Sequence, residues 1–216
     1  ILLFFLEDII EGFYYLNESP YGLDDSYINF ENHNESFDIN GFLKKIENKE
    51  KVLFECITLN DELVIYYNGK LPNIEIVEGR IFEEKDFKNR TNTAIINENS
   101  IKKCKEYDGK LYYYFMDSEF EAIGTFKEKS NIFYNSITAI LNFKADILKN
   151  KKMVITNCYL DLDENNEKKF VDEICSKFDL REVKEYKKIS IKEKFKMIIW
   201  YYDLPIQSFI ILIAVI

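Results

Sequence analysis

The segment DLDENNEKKFVD, residues 161–172, sets Asp161, Asp163, Asn165 and Asp172 at the first, third, fifth and twelfth places of a twelve-residue stretch. Oxygen ligands at that spacing hold a calcium ion in a helix–loop–helix site. The pattern fails where the chemistry is strict. Asn166 occupies the sixth place, where the sharp turn needs glycine, Lys169 occupies the ninth, and the preceding residues read as a strand instead of a helix. The segment is therefore expected to be a polar strand-to-helix turn with Asp163 or Asn165 as the helix cap. EKD at 84–86 and DSEFE at 117–121 also bring carboxylates together. In a chain with 38 acidic residues such pairs arise by chance, and nothing beside them in sequence would orient one as acid and the other as base.

The remaining chemistry-bearing types are equally scattered. Cys56, Cys104, Cys158 and Cys175 form no C-x-x-C unit, and the single histidine, His33, lies in the polar stretch NFENHNES. Zinc sites show close ligand pairs, which are missing here. Three of the cysteines sit in the apolar segments VLFECITL, MVITNCYL and VDEICSKF, so they read as small buried hydrophobes. An extracellular location would permit one disulfide, whose pairing the sequence leaves open. There is no nucleophile-elbow G-x-S-x-G, no H-E-x-x-H and no phosphate-binding G-x-x-x-x-G-K-[ST]. The expectation is no catalytic residue, no cofactor and no metal, and a chain that is not itself an ATP hydrolase.

Composition narrows the class. The chain has 216 residues, 47% of them hydrophobic, with 15 Tyr and 18 Phe against 7 Gly and 3 Pro. That is a globular chain able to bury a large core. A formal net charge of −9 supplies no phosphate-neutralising surface, so nucleic acid is not an expected partner.

The elements that must position these residues are mixed. FDINGFLKKIENKE (37–50) has apolar residues at helical spacing behind Asp38, a good cap. KVLFECITL and DELVIYYNG read as buried strands, the second closing on an Asn68-Gly69 turn. NTAIINENSIKKC is a short strand running into a helix. Residues 109–129 give two strands, the second broken near Gly124, and SITAILNF adds another. KKMVITNCYL is a strand and NNEKKFVDEICSKF a helix. These predict an α+β fold. It would be a layered mixed sheet with helices, built from both chain halves (17–104 and 149–189), with a β-rich central lobe inserted (105–148).

The ends differ from the middle. ILLFFLEDIIEGFYYL (1–16) and the stretch 190–216, which closes on IQSFIILIAVI, read as helical stalks that continue into transmembrane helices. Ser190 caps the second. Trp200, Tyr201 and Tyr202 stand between polar chain and apolar run, as an interfacial aromatic belt would. Membrane lipid is accordingly an expected partner at both termini.

One stretch carries a family resemblance. VEGRIFEEKDFKNRTNTAIINENSIKK contains Gly79, Arg80, Phe82 and Asp86, then an apolar strand with Asn97 and Glu98 opening a helix, and FEAIGTF follows at 120–126. This resembles the extracytoplasmic domain of MacB/FtsX-type ABC transporter permeases, over about 50 residues by motif and over the whole chain by its arrangement between two apolar ends. YYYFMD departs from the more polar, glycine-containing stretch of that family. The resemblance implies a domain on the outer side of a cell membrane. A cytoplasmic ATPase would act on it through the rest of the permease. The outcome would be export, antimicrobial-peptide resistance, or activation of a surface protein, and a peptide substrate is one possible partner. Read from its own chemistry, the motif is a corner: Gly79 allows a turn, Arg80 reaches a carboxylate such as Asp86, and Phe82 returns to the core. The competing reading is a stand-alone α+β ligand-binding or sensor domain of a membrane-anchored protein.

Overall fold

The computed structural model describes residues 23, 27–32, 38–127, 137–149, 151, 153–162, 167–178 and 180–183. The expected stalks, the Trp200–Tyr202 belt, His33 and the 163–166 turn lie outside the described residues. The described elements, in chain order, are β1 (Ile28–Asn32), α1 (Ile39–Ile46), β2 (Val52–Thr58), β3 (Glu62–Asn68), β4 (Glu75–Gly79), α2 (Glu84–Lys88), β5 (Thr93–Asn97), β6 (Lys105–Tyr107), β7 (Lys110–Phe115), β8 (Ser118–Lys127), β9 (Ala139–Asn142), β10 (Ile155–Leu162), α3 (Glu167–Phe178) and β11 (Leu180–Val183). Short 3-10 turns occupy Glu98–Lys103 and Asp146–Leu148. The class is α+β, as expected.

Among the described residues, all the strands join one 11-stranded sheet in the order β11-β1-β10-β2-β3-β9-β5-β8-β7-β6, with β4 paired to β8 beside that path. Most pairings are antiparallel, but β3 lies parallel to β9 and β5 parallel to β8. Both halves of the chain contribute. The central stretch is β-rich: β6, β7 and β8 extend one end of the sheet, while β9 lies between β3 and β5.

Local chemistry explains the elements. Asp38 accepts a hydrogen bond from the Gly41 N–H at 3.0 Å and starts α1, satisfying one of the orphan donors of the first turn. Lys44 and Lys45 occupy the last turn, where cations suit the helix dipole. The apolar face of α1 places Phe42 on Phe54 of β2, with ring centroids 4.4 Å apart, and Phe178 of α3 meets Phe42 at 5.4 Å. Lys45 of α1 pairs with Glu173 of α3 at the rim of that layer. Phe54 also meets Phe143 at 5.1 Å, which carries the core across the centre of the sheet.

Strand β2 is buried on both faces, which is why its sequence reads as a nearly continuous apolar run. Register fixes the two faces. Phe30, Cys158, Cys56 and Val64 form one cross-strand row, and Asn29, Tyr159, Glu55 and Ile65 form another on the opposite face. Glu55 is 0% exposed, and among the described residues neither of its carboxyl oxygens has a hydrogen-bond partner. Burial pushes its pKa well above the ordinary carboxylate value, and the nearby charge of Asp161 pushes it the same way. Asp161, equally buried in β10, is ion-paired with Lys70 at 2.5 Å.

Candidate functional site

The motif residues meet at one corner where β4 ends. Gly79 has φ +77°, a left-handed value that glycine reaches without steric penalty. The next residue, Arg80, donates its backbone N–H to the Ile123 carbonyl of β8 at 3.1 Å, so the chain stays stitched to β8 as it turns away. The Arg80 guanidinium then holds Asp86 with both prongs. Its Nη1 lies 2.5 Å from Asp86 Oδ2 and its Nη2 lies 3.0 Å from Oδ1. This fork matches a carboxylate in a way lysine cannot.

Asp86 does more than receive Arg80. Its Oδ2 also accepts the Glu83 N–H at 2.8 Å, which satisfies a donor at the start of α2. Its carbonyl accepts from Thr91 N at 3.0 Å and from the Asn142 side chain at 3.1 Å, tying α2 to the buried strand β9. Burial pushes the Asp86 carboxyl upward. The Arg80 hydrogen bonds, the Glu83 N–H and the Arg80 and Lys85 charges outweigh that and hold it below its ordinary value. Phe82 is 1% exposed and packs edge-on against Phe87 at 5.8 Å, while Tyr67 donates its hydroxyl to the Phe82 carbonyl.

Behind this corner opens a groove of about 840 Å³, which Arg80, Asp86 and Thr91 border on one side and Tyr112, Tyr114, Glu119 and Glu121 on the other. Its floor is the outer face of β7 and β8. Tyr112 is the direct partner of Glu121, and Tyr114 of Glu119. Glu119 accepts from Tyr114 at 2.7 Å and from Tyr107 at 2.6 Å, and the two phenols hold its carboxyl below the ordinary value. Tyr107 stacks on Tyr112 with centroids 4.0 Å apart and planes 7° from parallel. Lys110 pairs with Glu121 at 2.8 Å, and the Lys105 ammonium sits 4.5 Å from the Tyr114 centroid. The opposite face of the same strands turns inward, where Tyr113 donates to the buried Glu62 at 2.8 Å.

The Glu119 carboxylate and the tyrosine rings accept hydrogen-bond donors and cations, and the paired Arg80–Asp86 is fixed in place. Among the described residues, no group of three or more His, Cys, Asp or Glu side chains could hold a metal ion. Of the calcium-like pattern, Asp161 lies inside β10 on Lys70, and Asp172 is exposed on α3.

Gly79, Arg80, Phe82 and Asp86 thus converge in space as well as in sequence. The tyrosine–glutamate floor did not stand out in the sequence. Its signal was YYYF four residues before EFE, two runs that a tight Met116-Asp117 turn folds into neighbouring antiparallel strands, both turn residues having positive φ.

No family model matches the chain. No curated protein matches it either. Among solved structures, the chain is similar to the periplasmic region of MacB from Actinobacillus actinomycetemcomitans. That likeness has 12% identity over 84% of this chain and 97% of the other, with a TM-score of 0.48. It is also similar to the extracellular domain of the noncanonic ABC-type transporter YknZ from Gram-positive bacteria. Here the identity is 17% over 70% of this chain and 88% of the other, with a TM-score of 0.38. Both likenesses are distant.

Proposed function

We propose that this chain is the extracytoplasmic domain of an ABC transporter permease, a part that couples and binds and does not catalyse. The observation that supports the reading is the built corner. The Gly-Arg-x-Phe…Asp residues that resemble the MacB/FtsX-type signature form one interlocked unit, in which Arg80 joins the end of β4 to α2 and Asp86 joins α2 to β9. In this reading an ATPase on the cytoplasmic side moves the membrane helices, and a rigid sheet passes that motion on as a body. The groove is the face offered to a cargo or surface protein carrying cationic or hydrogen-bond-donating groups.

The test is purification of the full-length protein from its own membrane in mild detergent. A stoichiometric nucleotide-hydrolysing partner is expected, whose coupled output is lost in Tyr114→Ala and Glu119→Lys while ATP hydrolysis continues. A full-length protein that carries no ATPase, yet binds a ligand in the groove, establishes the second reading. That reading is a stand-alone ligand-binding or sensor domain, and the open groove of about 840 Å³ favours it.

A further inference from the structure

Cys56 and Cys158 sit directly opposite one another on β2 and β10, as Cα partners in an antiparallel pair. Their side chains point to the same face of the sheet, their Sγ atoms are 3.2 Å apart, and both residues are 0% exposed. Cys104 and Cys175 are half-buried on other elements, Cys104 after the 3-10 turn and Cys175 on α3. We propose that Cys56 and Cys158 are joined by a disulfide in the exported protein, a bond that clamps the two halves of the chain across 102 residues. The proposal rests on the extracytoplasmic reading, because thiols persist in the cytosol and are oxidised outside it.

Register is what selects this pair. A disulfide needs Cα atoms about 4.4–6.8 Å apart and Cβ atoms aimed at each other. Directly opposed residues of an antiparallel pair sit about 4.5–5.5 Å apart, with side chains on one face. Small side-chain rotations close the remaining gap between the sulfurs without moving either strand. A one-residue slip would send one thiol to the face of Glu55 and Tyr159 and remove the possibility.

Burial sets the order of events. In the finished fold, burial is the largest influence raising the Cys56 pKa, and no oxidant reaches either sulfur. The bond therefore forms while β2 and β10 are still coming together. The Cys56 and Cys158 thiols lose two protons and two electrons and gain one S–S bond. The electrons pass to the disulfide of an extracytoplasmic thiol–disulfide oxidoreductase or small disulfide, which leaves as two thiols. Once the sheet closes, the same burial shields the bond from reductants.

The experiment uses the full chain isolated from its membrane, denatured in an alkylating reagent without reductant, and digested for mass spectrometry. The expected result is a peptide pair linked through Cys56 and Cys158, alkylated Cys104 and Cys175, and loss of the linked pair after reduction. The protein refolded in the reduced state should melt roughly 10 °C lower, as expected for a cross-link closing a loop of about 100 residues in a domain of this size. Alkylation of both Cys56 and Cys158, or linkage of either to Cys104 or Cys175, overturns the proposal. A parallel sample carrying Leu71→Cys, at a position 72% exposed, is treated on intact cells with a membrane-impermeant maleimide. Labelling together with free Cys56 and Cys158 sinks the disulfide and leaves the location standing. Labelling only after lysis sinks the location, and the linked peptide then judges the disulfide by itself.

Discussion

Gly79 and Gly124 face each other as Cα partners where β4 leaves β8. A Cβ on Gly79 would lie 2.6 Å from the Gly124 Cα and 2.3 Å from the Ile123 carbonyl oxygen, and one on Gly124 would lie 2.6 Å from the Arg80 carbonyl oxygen. The neighbours in each case are backbone, which cannot rotate aside. Gly79→Ala is expected to cost about 1–3 kcal/mol for overpacking plus about 1–2 kcal/mol for a left-handed residue with a Cβ. Gly124→Ala, free of the left-handed penalty, should cost only the first part. Thermal melts of both variants check the order, and a parental melt for Gly79→Ala would contradict the close approach.

Phe82 and Arg80 separate packing from pairing. Phe82→Ala removes a ring that is 1% exposed and is expected to cost about 3–5 kcal/mol. Arg80→Ala strips a charged partner from Asp86, but Arg80 is 36% exposed and the Glu83 N–H remains. The expected cost is about 1–2 kcal/mol, above that of a surface pair because Asp86 itself is buried. Urea titrations give the two values, and an Arg80 loss equal to that of Phe82 would make the ion pair the keystone instead of the ring.

Asp86 should make the domain sensitive to acid. Its folded pKa lies below the value near 3.9 of an unfolded aspartate, so its contribution is present above that value. It is lost as pH falls through the folded value. In Asp86→Asn this component is gone, so the variant should be less stable at neutral pH and should lose less than the parent on acidification. Urea midpoints from pH 7 down to pH 2 compare the two slopes. Parallel curves would show that Arg80 does not hold the ionised carboxylate.

Glu55 predicts the opposite slope. Its folded pKa lies well above that of an unfolded glutamate, near 4.3, so the folded state keeps a proton the unfolded chain has released. Its favourable contribution is complete below about pH 4.3 and fades as pH rises toward the folded value. Glu55→Gln keeps the shape and removes the titration. Relative to the parent, the variant should gain stability as pH rises from about 4.3 toward the folded value, by chemical denaturation at each pH. A constant difference across that range would mean that Glu55 is ionised in the folded protein.

The legible part of the fold was whatever the local pattern spells out. VLFECIT and ELVIYYN are apolar runs bounded by turn residues, and they form β2 and β3; the Asp38 cap and helical spacing of α1 were equally plain. INFEN and KEY are too polar and too short to signal β1 and β6, which gain their partners from distant strands. The five residues of α2 cannot show a helical period, and Asp86 there was legible as a partner for Arg80 but not as a support for the Glu83 N–H. Register is a relation between remote segments. Hence neither the parallel β3–β9 and β5–β8 pairings nor the apposition of Cys56 with Cys158 could be read locally. The groove escaped only in part for that reason: its floor is the local β7–β8 hairpin, but the Arg80 and Asp86 border comes from a separate stretch of the chain.

The four residues of β9 join two parts of the sheet that precede it in the chain. They are the seam of the sheet, bonded to β3 on one side and β5 on the other. A chain emerging from its N-terminus makes the β2–β3 hairpin and β5 long before Ala139 exists. Until then the outer edge of β3, with Leu63, Val64 and Ile65, stays open. An unpaired apolar edge is a template for the wrong strand. Joining of the β2–β3 hairpin to the β5–β8 strands therefore waits on one short, late segment, and a nascent or truncated chain ending before residue 139 leaves the facing edges of β3 and β5 open together with the β2 edge that β10 covers later still.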